Sequence, residues 1–418
     1  MASERIGLIW GLSFFAGSIA QLLARLVSLP AVVALLATGL LVGRAGLDLI
    51  DPDALGNGLR PLVGLLVSLV LFDGGLNLRL AGRDLQRAVV QLVLVRWVLG
   101  LVGAAAAAHL LAGLGWSLAF VFGAIVLATG PTVVMPMVRQ MRLDPALAQL
   151  LEGEGLILEP VGAVLALLLL QLALGNLHGW QEVASRLVLR LGGGVVLGGL
   201  AGLLLSEVLR RLTPQDPHLP AEEAAKVSAL ELQLTLGVLF LLFSGCDTLL
   251  PEAGLPAAVS AGVVVGLRLD ADATELDELI RQLAMLAITV LFPLLAADLR
   301  WDELSPLGWG GVACVLALML LRWPLMQLAG LGVPSLDGRQ KLLLSWIAPR
   351  GIVTAAVASL FALRVEEAGL EGAGALKGLV FLTILLTVVL QGFTAPWLAR
   401  RLGLVGPGEG AEELPEEA

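Results

Sequence analysis

The sequence predicts an all-α polytopic membrane protein, a bundle of about 13 transmembrane helices built as inverted repeats with two crossing discontinuous helices. Three observations carry this prediction. The 418 residues are 58% hydrophobic and only 15% charged, with a mean hydropathy of +0.92, against about 45–50% apolar and about 25% charged residues in a soluble domain. The apolar residues lie in continuous runs, not in the alternating pattern of a membrane β-barrel. Two of the runs are broken by Pro/Gly centres at corresponding places. The 50 glycines fit a bundle, because small residues let helix backbones approach closely. The net charge of −9 excludes nucleic acid as a partner. Cys246 and Cys314 are the only cysteines, and His109, His178 and His218 show no ligand spacing. No cofactor or resident metal is expected.

A span needs roughly 20 apolar residues. Apolar stretches run through 6–24, 30–47, 60–78, 88–112, 116–138, 146–175, 186–208, 227–249, 255–267, 280–297, 306–330, 341–363 and 377–399. The stretch 255–267 is short and reads as a tilted or partial span. The N-terminus has no basic n-region and no cleavage site, so it reads as the start of the first helix. With that end outside, fifteen Lys and Arg fall on the inner side and seven on the outer. Positive charge belongs in the cytoplasm, which puts the C-terminus inside, at a bacterial inner membrane. Four arginines remain within spans: Arg96, Arg190, Arg322 and Arg350. Residues 1–402 form the transmembrane unit. An acidic segment covers 269–280, and 403–418 reads as an acidic, disordered cytoplasmic tail.

A weak internal echo runs through the chain. The fourth span carries Arg96-Trp97 and the eleventh Arg322-Trp323. The span after each has a broken polar centre, Thr129-Gly130-Pro131 in one and Ala348-Pro349-Arg350-Gly351 in the other. The two halves cross the membrane in opposite directions. Paired discontinuous helices in inverted repeats bind substrate near the midplane.

Ionisable groups within spans are costly and default to function. Asp73, near the inner end of the third span, reads either as an interfacial helix-end acid or as a carboxylate lining an inward cavity. Pro131 lacks an N–H and Gly130 tolerates unwinding, so this place is a plain kink or a site where freed carbonyls meet a cation or water. Glu154 and Glu159 of the sixth span are five apart, hence about 140° apart around a helix, and face different neighbours. Glu159 has Pro160 and a long apolar run beyond it. Arg350 stays charged and needs an acid, for which Glu154 or Glu159 is the natural partner.

The strings FDGGLNL (72–78), LATGPTVV (127–134), EGEGLILEP (152–160) and APRGIVTAAVASLFAL (348–363) resemble the monovalent cation:proton antiporters, the sodium/proton exchangers of NhaP type. Order, spacing and the span layout fit over residues 1 to about 402. The resemblance implies an ion site of a Glu in the third span, a Thr and an Asp at the unwound crossing, and a Ser and an Asp in the sixth span. Carried over, Asp73 stands for the Glu, Thr129 for the Thr and Gly130 for the acid at the crossing. Gly155 stands for the Ser, Leu158 for an Asn and Glu159 for the Asp, while Glu154 matches a structural Glu paired with an Arg, here Arg350. One carboxylate is shortened and the other lengthened. Gly155, four residues before Glu159 on the same helix face, would leave room for the longer side chain.

The reading is a secondary transporter exchanging a monovalent cation, Na⁺ before Li⁺ or K⁺, for H⁺ by alternating access. Oxygen ligands suit a hard cation, and Asp73, Thr129 and Glu159 supply them to the transported Na⁺. Pro131 and Pro349 mark the helix breaks, and Glu154–Arg350 holds the crossing. The resemblance also implies a homodimer in lipid. No enzyme motif is present. Two other readings fit the same residues, a non-transporting sensor or scaffold and a K⁺-selective channel-like relative.

Overall fold

The computed structural model describes residues 2–27, 30–78, 83–212, 221–269, 274–331, 333 and 336–405. They form helices joined by short connections: α1 (Ala2–Val27), α2 (Ala31–Val42), α3 (Leu59–Asn77), α4 (Arg83–Val95), α5 (Leu101–Ala112), α6 (Trp116–Ile125), α7 (Pro131–Met141), α8 (Pro145–Ala173) and α9 (Trp180–Leu212). There follow α10 (Ala221–Leu249), α11 (Gly254–Arg268), α12 (Thr274–Ala296), α13 (Trp301–Leu304), α14 (Gly308–Ala329), α15 (Gly338–Trp346), α16 (Ile352–Glu367) and α17 (Ala373–Leu402). Each apolar stretch of the sequence becomes helical. The fourth is α4 and α5 joined by a π-helical turn at Arg96–Gly100. The fifth is α6 and α7, and the twelfth is α15 and α16. Among the described residues, eight helical runs are long and apolar enough to cross a membrane. Residues 406–418, most of the expected acidic tail, and 270–273 of the acidic segment lie outside the described residues.

Local signals place the helix ends. Asp144 caps α8, its carboxylate accepting from the Ala146 N–H at 2.9 Å, and Pro145 takes the first turn, where its missing N–H costs nothing. Asp337 and Gln340 form a reciprocal capping box at the start of α15. The short stretch 255–267 becomes the 15-residue α11, packed between α3 and α9. Small residues permit this. A Cβ on Gly75 would stand 2.6 Å from the Val259 carbonyl oxygen, and one on Gly194 would stand 2.5 Å from that of Ala253.

The bundle has a centre and a rim. In α8, 72% of the most apolar stretch is buried inside the protein, against 28% in α1, α9, α10 and the α13–α14 run. The rim helices turn apolar side chains such as Leu204, Leu241 and Leu320 outward, as lipid requires. Carboxyl groups on α8 therefore meet protein, not lipid. The four arginines that the sequence places inside spans are the buried ones among the described arginines, each 4% or 6% exposed.

Candidate functional site: a crossing of two broken helices

The fifth span unwinds over 126–130 and the twelfth over 347–351. The two unwound stretches meet. The Gly130 N–H donates to the Pro349 carbonyl at 3.0 Å. A Cβ on Gly130 would overlap the Gly351 Cα and nitrogen, so the crossing closes backbone to backbone. Pro131 is the first residue of α7 and not a mid-helix kink, and Pro349 lies inside the second unwound stretch.

Glu154, fully buried on α8, lies between two arginines from different spans. Arg96 Nη1 donates to its Oε1. Arg322 grips it with both forks, Nη1 to Oε1 at 2.8 Å and Nη2 to Oε2 at 2.9 Å. Each arginine also satisfies a carbonyl at the end of a half-helix. Arg96 Nη2 donates to Leu127 O at 2.8 Å, just past α6, and Arg322 Nε to Leu344 O at 3.0 Å, in the last turn of α15. A cation belongs at the negative pole of a helix dipole. The pairing of Glu154 with Arg350 expected from the sequence is therefore corrected. Arg350 turns back on its own loop, Nη1 donating to Ala348 O at 2.7 Å, and its Nε has no partner among the described residues. The physical reason is saturation: two guanidinium groups already cover the Glu154 oxygens. The recurring Arg96-Trp97 and Arg322-Trp323 pairs are the trace of these partners in the sequence.

Glu159, 1% exposed, is different. Neither carboxyl oxygen has a hydrogen-bond partner among the described residues, and the Thr129 hydroxyl, also 1% exposed, has none either. Gly155, Glu159 and Gly162 lie along one stripe of α8. A Cβ on Gly155 would stand 2.9 Å from the Thr129 carbonyl oxygen, and one on Gly162 would stand 2.8 Å from that of Ala124. Glu159 is thus flanked by two points where α8 presses on α6 and its unwound extension. The room at Gly155 is filled by the Thr129 carbonyl and is not left for the Glu159 side chain, which corrects the expectation from the sequence. Leu158 packs in an apolar cluster with Leu127 and Ala128.

Asp73, 3% exposed, lines a cavity of about 530 Å³. Its other walls include Gln21 and Arg25 at the end of α1, Gln140 at the end of α7 and Arg281 near the start of α12. Glu159 is not among the described residues that line it. Asn77 Nδ2 donates to Asp73 Oδ1 at 3.1 Å and to Asp277 Oδ1 at 2.9 Å, tying α3 to α12. The opposite end of α12 is closed by a polar network. Lys377 is 8% exposed and donates to Asp298 O at 3.1 Å and Glu303 Oε1 at 3.0 Å. Ser359 donates to Asp298 Oδ2 at 2.6 Å. Among the described residues, no group of three or more His, Cys, Asp or Glu could hold a metal ion.

A family model described as "Sodium/hydrogen exchanger, transmembrane" matches residues 11–401. Na(+)/H(+) antiporter 1 of Methanocaldococcus jannaschii is 25% identical, over 94% of each chain. Na(+)/H(+) antiporter NhaH of Halobacillus dabanensis is 24% identical, over 92% of this chain and 94% of its own. The solved sodium proton antiporter MjNhaP1 of M. jannaschii at pH 8 superposes with a TM-score of 0.81 at 24% identity, covering 97% of this chain and 100% of its own. A match spanning nearly the whole bundle, broken helices included, identifies the chain as a multi-pass integral membrane protein of the sodium/hydrogen exchanger family.

Proposed function

We propose that the chain exchanges a monovalent cation, Na⁺ before Li⁺ or K⁺, for H⁺ by alternating access. The observation that carries this reading is Glu159, a buried carboxyl whose two oxygens have no partner among the described residues, beside an unwound stretch whose Thr129 hydroxyl likewise has none among them. Burying a carboxyl without a partner is expensive. A group kept that way is suited to take a proton or a cation in turn, and neither occupant leaves room for the other. Mutual exclusion at one carboxyl is sufficient for antiport. Glu154 does not compete for the cation, because its oxygens are held by Arg96 and Arg322. Asp73 on the wall of the cavity offers a first carboxylate to a hydrated cation arriving from the side where Arg25, Gln140 and Arg281 lie. The distribution of positive charge supports that side as the cytoplasmic one.

Relatives named as Na(+)/H(+) antiporters support Na⁺ and H⁺ as the substrates. The same reading takes the carrier as a homodimer in lipid, on resemblance alone. The test uses the purified protein in liposomes loaded with a pH-sensitive dye. Added Na⁺ should drive proton movement, and Glu159→Gln should abolish it while the protein still folds and inserts. Wild-type flux in that variant, or no cation-driven proton movement in the unsubstituted protein, would sink the reading.

A further inference from the structure

The thirteenth span, α17, carries polar side chains where lipid would favour apolar ones. Thr383, Thr387 and Gln391 are each 0–2% exposed and follow one another at four-residue intervals, so they lie on one face. Thr394, one turn on, continues the row. Three of the four reach the second broken span. The Gln391 Oε1 accepts from the Ala348 N–H at 2.9 Å. The Thr387 Oγ1 accepts from the Arg350 N–H at 3.4 Å and returns its own proton to the Thr383 carbonyl at 2.6 Å. The Thr394 Oγ1 accepts from the Trp346 Nε1 at 2.8 Å. Thr383 itself bonds only within α17, to the Leu379 carbonyl at 2.7 Å.

An unwound segment in a membrane must find partners for every freed backbone group. The backbone donors at Ala348 and Arg350 find theirs on α17, and Pro349 has none to offer. This leaves the Pro349 carbonyl aimed across the crossing, where it accepts from the Gly130 N–H at 3.0 Å. Gly130 adjoins Thr129, whose carbonyl meets the Gly155 face of α8 one turn from Glu159. A continuous chain of contacts thus runs from Gln391 through Ala348 and Pro349 to Gly130 and Thr129.

We infer that Gln391, seconded by Thr387, is a positioning residue. It fixes the 347–351 stretch so that the Pro349 carbonyl holds the first unwound stretch, and with it the Thr129 oxygens, in place against Glu159. This deepens the proposed exchange and rests on it for its transport consequence. The first stretch then depends on the second for its shape, although the two are 221 residues apart in sequence and are joined across the crossing by the Gly130–Pro349 backbone hydrogen bond.

The experiment uses the full chain in lipid nanodiscs and in liposomes, with Gln391→Met, Thr387→Val and the control Thr383→Val. Deuterium uptake at the Gly130 amide should rise about fivefold in Gln391→Met, the equivalent of one lost hydrogen bond. The Na⁺ concentration for half-maximal flux should rise by a similar factor, with the maximal rate and the yield of folded protein unchanged. Thr383→Val should change neither. Faster uptake at 347–351 with none at Gly130 would overturn the inference, since α17 would then serve its own neighbour alone. So would a loss of maximal rate with unchanged half-saturation. Should Gln391→Met not fold, Thr387→Val carries the same two readouts. If the unsubstituted protein moved no protons, the exchange reading would fall, and uptake at Gly130 would still decide the positioning role.

Discussion

Glu154 has three arginines within its region of the bundle, and the structure ranks them. Replacing Arg322 by Met removes two charge-assisted hydrogen bonds, at 2.8 and 2.9 Å, and a third bond to the Leu344 carbonyl at 3.0 Å. Glu154 keeps Arg96, so its charge is half-covered rather than stranded. Bonds to charged groups are worth about 1.5–3 kcal/mol each, and breaking a buried pair costs about 3–5 kcal/mol in all. We therefore expect Arg322→Met to destabilise the protein by about 3–5 kcal/mol. Replacing Arg350 by Met removes one bond, to its own Ala348 carbonyl, and takes away a buried charge that no described carboxylate covers. Its cost should stay near 1 kcal/mol. The assay is a double-mutant cycle on stability of the detergent-solubilised protein, pairing Glu154→Gln with each arginine variant. The coupling with Arg322 should be about 2–3 kcal/mol and that with Arg350 near zero, because residues out of contact add independently. A coupling to Arg350 as large as that to Arg322 would refute the assignment of partners.

Gly130→Ala places a Cβ on the Gly351 backbone and should cost about 1–3 kcal/mol of stability, as overpacking does, and lower flux; normal flux would show that the crossing opens freely. Asp73 lines the cavity and Glu159 does not, so Asp73→Glu and Glu159→Asp should change the half-saturating Na⁺ concentration additively; strong compensation in the double exchange would place both at one site. Lys377→Met removes the cation shared by Asp298 and Glu303 and should cost about 2 kcal/mol, whereas Lys377→Arg should cost less; equal losses would mean that packing of the stem matters and the charge does not.

Much of this was legible in the sequence. Continuous apolar runs gave the spans, and the Pro/Gly centres at 130–131 and 349–351 gave both helix breaks. The intramembrane positions of Arg96, Arg190, Arg322 and Arg350 followed from placing charged residues against those runs. What escaped was which charge meets which. Partner choice at Glu154 depends on how far the fourth span and α14 are rotated about their axes, and Arg96 stands where the regular α4 gives way to a π-helical turn. No spacing rule encodes it. Gly155 misled for a related reason. A missing side chain reads as spare room on an isolated helix, but in the bundle a neighbouring carbonyl occupies it. Lys377 begins the last apolar run, and the acids that hold it, Asp298 and Glu303, come from the connection between α12 and α14, far away in sequence.

The shared grip on Glu154 has a consequence for the order in which the chain is made. Arg96 precedes Glu154 by 58 residues, whereas Arg322 follows it by 168. When the sixth span leaves the ribosome, its acid would face hydrocarbon alone were Arg96 not already in the membrane. The fourth span thus acts as an early counterion, and the first six spans can insert with that charge covered. The second half arrives later and docks its own arginine on an anion already in position. Weakening Arg96 should therefore lower insertion yield during synthesis, while weakening Arg322 should spare insertion and act on the finished protein.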